Sequence, residues 1–104
     1  MIARFEYAIA PPDEHVILHM SWQGDQAGAR VMAPDWVVDA LAERGFPMRG
    51  DDEFVGLAMA LSYGVLVASL AGADLTLSGD RSAWPTSWGM LFDKPRLELV
   101  ARLH

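Results

Sequence analysis

The stretch Phe54–Ala73, FVGLAMALSYGVLVASLAGA, contains no charged residue. Its small residues Gly56, Ala60, Gly64, Ala68 and Gly72 recur every fourth position. On a helix that spacing draws a narrow strip almost free of side chain, which lets the helix press closely onto a sheet or another helix. Leu57, Leu61, Tyr63, Leu66, Val67 and Leu70 flank the strip. A helix apolar on nearly every side is either a buried core helix or a membrane span.

The flanks favour the core helix. About twenty uncharged residues suffice to cross a bilayer, and small residues four apart also pair membrane helices. Here, however, Asp51, Asp52 and Glu53 precede the stretch and Asp74 follows it. The nearest cations, Arg49 and Arg81, are too far out to anchor its ends. Three glycines and two serines dilute its hydropathy. The expectation is a non-membrane, cytoplasmic protein. The N-terminal run carries Arg4 and Glu6 and has no clean apolar core, so it does not read as a signal peptide.

With 104 residues, 52% of them hydrophobic and 21% charged, the chain fits a single globular domain over 1–104. A net charge of −6 repels phosphate backbones and argues against nucleic-acid binding. The absence of cysteine removes disulfides, thiolate metal sites and a cysteine nucleophile.

Outward from the central stretch, the pattern predicts strands and one more helix. Met1–Ala10 alternates, with Ala3, Phe5, Tyr7 and Ile9 on one face. Pro11-Pro12-Asp13-Glu14 turns the chain. His15–Gln23 alternates again, so the two segments are expected to form an antiparallel hairpin. Gly24–Ala33 reads as loop. Pro34-Asp35-Trp36 opens a helix that Gly45 stops. Asp51 is the expected N-cap of the central helix and Gly72 or Asp74 its end. Asp74–Ser78 is a short strand, Gly79–Ser87 a loop, Trp88–Phe92 an apolar segment compatible with a strand, and Arg96–His104 a last strand. The expected class is α+β: a two-layer sandwich with two helices on one face of a mostly antiparallel sheet.

That order resembles the C-terminal two thirds of a GHKL-type ATP-binding domain, the fold of bacterial sensor histidine kinases. The central helix region Ala58-Met59-Ala60-Leu61-Ser62-Tyr63, closing as Ala71-Gly72-Ala73-Asp74-Leu75, stands where that family has its glycine-rich run, long helix and Gly-Gly closure. Gly28-Ala29-Arg30 and Ala60-Leu61-Ser62-Tyr63 look more specifically like the C-terminal domain of ChpT-type histidine phosphotransferases, which keep the kinase-like shape without ATP binding. The resemblance implies a degenerate GHKL-like domain that docks a two-component signalling partner, such as a receiver domain, or pairs with itself as a homodimer. The departures imply that nucleotide chemistry is lost. Trp22 stands where the family's box has its adenine-reading Asp, and Ala58 and Ala60 stand where glycines would admit phosphate. The family's reactive histidine sits on a helical hairpin upstream of the matched region.

Other chemistry reads weakly. His15 and His19 on a strand lie roughly 13 Å apart at ~3.3 Å per residue, too far for one ion, so no metal site is expected. Asp51-Asp52-Glu53 reads as a helix N-terminus. The serines lack a Gly-x-Ser-x-Gly elbow, and no catalytic residue or cofactor is assigned. Trp36, Trp84 and Trp88 are the candidate interaction residues, set against a plainer role for the Trp84-Pro85 loop as a small satellite core. The expected function is a non-enzymatic interaction or regulatory domain. The alternative is a small α+β enzyme or ligand-binding domain with a site the sequence hides.

Overall fold

The computed structural model describes residues 5–48 and 53–93. Six strands and two helices follow in the order β1 (Phe5–Tyr7), β2 (Val16–Gln23), β3 (Gln26–Met32), α1 (Asp35–Glu43), β4 (Val55–Gly56), α2 (Leu57–Ala71), β5 (Leu75–Gly79) and β6 (Leu91–Asp93). The strands make one sheet in the order β4-β3-β2-β5-β1-β6, and both helices pack against it. The two-layer α+β arrangement is the one the sequence implies.

The small-residue strip of α2 faces the sheet. Ala60, Gly64 and Ala68 are buried, together with Leu57 and Val67. A methyl group placed on Gly64 would lie 3.5 Å from Leu18 of β2, 3.5 Å from Leu75 of β5 and 3.9 Å from Val31 of β3. The helix therefore rests across three strands, and the absence of side chain sets its height. It ends as expected: Gly72 takes φ +68°, and Ala73 N–H donates to Ala68 O at 2.9 Å. Gly45 closes α1 the same way, with Phe46 N–H donating to Leu41 O at 2.9 Å. These are the six-to-one bonds of a Schellman cap. Among the described residues no helix is long and apolar enough to cross a membrane.

The sheet departs from expectation in its pairing. β1 does not form a hairpin with β2; it lies parallel between β5 and β6. β2 is parallel to β5 and antiparallel to β3, and β3 is antiparallel to β4. The sheet among the described residues is thus mixed, with three parallel pairings and two antiparallel. The reason is β5. Thr76, Leu77 and Ser78 are all buried, as suits a central strand with neighbours on both sides. It takes the place beside β2 that β1 was expected to fill.

The true hairpin is β2–β3. Gln23 pairs with Gln26 across the two-residue turn Gly24-Asp25. Gly24 has φ +60° and Asp25 does not have positive φ, the pattern of a type II′ turn with glycine first. The segment expected to be loop is therefore a strand. Gly28 within it lies so close to Phe54 and Val55 that a methyl group there would overlap the Phe54 ring and Val55 O. That approach lets Val55–Gly56 join as β4, so α2 starts at Leu57 with Gly56 at its N-cap rather than at Asp51. Asp51 and the expected last strand, Arg96–His104, lie outside the described residues.

Between β5 and β6 the chain makes two 3-10 turns, Arg81–Ala83 and Thr86–Trp88. Of the expected apolar strand Trp88–Phe92, the strand itself begins at Leu91. Trp84 is only 7% exposed, and its ring meets Phe5 edge-on at 5.6 Å and Trp88 at 5.2 Å.

Candidate interaction surface

A helix on a sheet ordinarily presents charge to water and apolar side chains to the core. α1 obeys: Val37 and Leu41 are buried, while Asp35, Asp39 and Glu43 are exposed on its outer side. α2 does not. It has no charged residue, and its outer side exposes Met59 (67%), Val65 (39%) and Leu66 (45%), interleaved with Ala58, Ser62 and Ser69. Met59, Ser62, Leu66 and Ser69 follow the steps three, four, three of a helix-pairing seam. Burial against the sheet does not account for this side, because the small strip already makes that contact.

The three candidate tryptophans do not form one patch. Trp84 belongs to the main hydrophobic core, and its indole N–H donates to Gly89 O at 2.9 Å. Trp88 caps that cluster and is partly exposed, with Met90 and Phe92 exposed nearby in sequence. Trp36 stands apart on the first turn of α1, where its indole N–H donates to Glu14 O at 3.1 Å. It lines an open cleft of about 270 Å3 with Glu14, His15, Gly72, Ala73 and Asp74.

At that corner His15 links two strands. Its Nδ1 lies 2.9 Å from Thr76 Oγ1, and its Nε2 lies 3.5 Å from Asp74 Oδ2. Carboxylate, imidazole and hydroxyl in that sequence resemble a hydrolase relay. Thr76, however, is fully buried and cannot meet a substrate, while Asp74 is 83% exposed. The group ties the start of β2 to β5. His19 makes a similar tie, Nδ1 to Ser78 Oγ at 3.1 Å. Among the described residues, no group of three or more histidine, aspartate or glutamate side chains is placed to hold a metal ion.

Trp22 donates its indole N–H to Ser82 Oγ at 2.9 Å. Ser82 in turn donates to Asp80 Oδ1 through its hydroxyl at 2.6 Å and its backbone N–H at 2.9 Å. The hydroxyl bond, then the backbone bond, holds the Asp80 carboxyl below its usual value of 3.8. Ala60 is fully buried, and Ala58 is exposed.

Comparison with protein-family models, with curated proteins and with solved structures finds no match for this chain.

Proposed function

We propose that the chain is a non-enzymatic protein-interaction domain that docks its partner on the outer side of α2. The observation that carries this is the uncharged seam through Met59 and Leu66, left exposed on an otherwise acidic molecule. Exposed apolar area of this kind gains about 25 cal/mol per Å2 when a partner covers it. The resemblance to ChpT-type phosphotransferases suggests a cytoplasmic signalling setting and makes a receiver domain the first partner to test. The same resemblance, with Trp22 and Ala60 in place of the residues that read adenine and admit phosphate, supports a domain silent toward ATP.

Thermal unfolding with and without Mg-ATP tests the silent part, since a ligand bound only by the native form raises the midpoint. No shift is expected; a saturable rise contradicts it. Titration of the domain with a receiver domain tests the partner. Saturable binding lost on replacing Met59 and Leu66 is expected.

A small-ligand reading has one observation in its favour, the cleft beside Trp36 and His15. Its mark would be a ligand-dependent change in Trp36 fluorescence that survives replacement of Met59 and Leu66.

A further inference from the structure

We infer that the cleft lined by Trp36 and the end of α2 binds a small organic cation, an alkyl or quaternary ammonium held against the indole ring. This rests on the cleft alone and not on the docking role of α2, so either can fail without the other.

Three features of one sign meet in this cleft. Glu14 and Asp74 line it, and the Asp74 side chain is 83% exposed, so its carboxylate is open to a visitor even with His15 Nε2 3.5 Å from one oxygen. Gly72 and Ala73 bring in the C-terminal end of α2, whose last carbonyls carry partial negative charge. No basic residue in the last turn of α2 offsets that charge, and among the described residues that line the cleft there is no lysine or arginine. The positive end of α1, from which Trp36 projects, is already met by Asp35 in the same turn.

Trp36 decides what kind of cation fits. Its ring is 46% exposed, yet its indole N–H is fixed by Glu14 O at 3.1 Å. An aromatic face held beside carboxylates suits an organic ammonium, which is weakly hydrated and gains from the ring quadrupole. A divalent metal ion suits it poorly, because no group of three or more histidine, aspartate or glutamate side chains among the described residues is placed to hold one. The cleft volume of about 270 Å3 lies just under the ~300 Å3 at which drug-sized pockets begin. The ligand is therefore small.

The test is an amide NMR titration of the full chain at physiological salt, read at the Trp36 indole N–H and at the Gly72 and Ala73 amides. The probes are choline, butylammonium and dimethylbutanol, the uncharged carbon isostere of choline. At least one of the two cations is expected to shift all three signals along one saturation curve, and dimethylbutanol to leave them unmoved. Trp36→Leu keeps an apolar wall without a ring and is expected to weaken the cation severalfold, whereas Trp36→Phe retains most of the binding. Glu14→Gln is expected to weaken it severalfold and to flatten its salt dependence. Met59→Ser with Leu66→Ser leaves it unchanged. Signals elsewhere in the chain show that each variant folds. Phosphatidylcholine vesicles are not expected to sediment the protein, because Glu14 and Asp74 repel the headgroup phosphate.

An equal response to dimethylbutanol overturns the inference, since the cleft then takes any apolar group. So does a shift that never saturates and matches that of sodium chloride at the same ionic strength. Cation binding indifferent to Trp36→Leu, or sedimentation with vesicles without a response to free choline, overturns it as well.

Discussion

Gly64 of α2 stands directly over Leu18 of β2, with space for one methyl group between them: a carbon added to Gly64 would sit 3.5 Å from Leu18 Cδ1. That distance is ordinary van der Waals contact. Alanine therefore fits, and it removes the entropic cost of a mid-helix glycine. Gly64→Ala is expected to raise stability by about 0.5–1 kcal/mol in urea denaturation. Gly64→Leu forces α2 off the sheet and is expected to cost about 1–3 kcal/mol.

Gly28 is the opposite case. The carbon of an alanine there would meet Val55 O, a backbone atom that cannot swing aside. Gly28→Ala is expected to destabilise by roughly 1–3 kcal/mol. It should also speed amide exchange at the β3–β4 pairing, which its small size permits. A neutral result would show that β4 does not pair as described.

Removing the imidazole of His15 strands a buried hydroxyl. His15→Ala leaves Thr76 Oγ1 without its side-chain partner and is expected to cost about 1–3 kcal/mol. His15→Ala with Thr76→Val removes both polar groups and is expected to recover part of the loss. A double-mutant cycle measures the coupling, and additive effects would contradict the tie.

Asp80 gives the pH dependence a direction. Its folded carboxyl titrates below the ordinary 3.8 because Ser82 bonds to the ionised form. The folded state therefore binds the proton less readily than the unfolded one. The contribution is present above the unfolded value and is lost as pH falls through the lower folded value. The unfolding midpoint of the parent is expected to exceed that of Asp80→Asn near neutrality. The two should converge in acid below pH 3.8. A gap that is constant across that window would rule out the carboxylate as its source.

The helices were legible in the sequence because their signals are local. Gly45 and Gly72 stop them where they stand, and the four-residue spacing of Ala60, Gly64 and Ala68 identifies the side that meets the sheet. The strand pairing was not legible, because it depends on contacts far apart in the chain. Nothing near Tyr7 says that Leu77 will lie beside it. The β2–β3 hairpin did carry a signal, Gly24-Asp25 at the two-residue turn, but the small residues Ala27, Gly28 and Ala29 disguised the following strand as loop. The tie from His15 to Thr76 spans 61 positions and exists only because β2 and β5 run parallel. The exposed side of α2 was concealed by its uniformity: a helix without charge gives no sequence mark of which side faces water.

The most direct test of the docking role is a methyl NMR titration of the domain with a receiver domain. The account predicts shifts at Met59, Val65 and Leu66 that saturate together, with the Leu18 and Val31 methyls beneath the helix little changed. Shifts confined to Met90 or to the residues around Trp36, with Met59 and Leu66 unmoved, would contradict it.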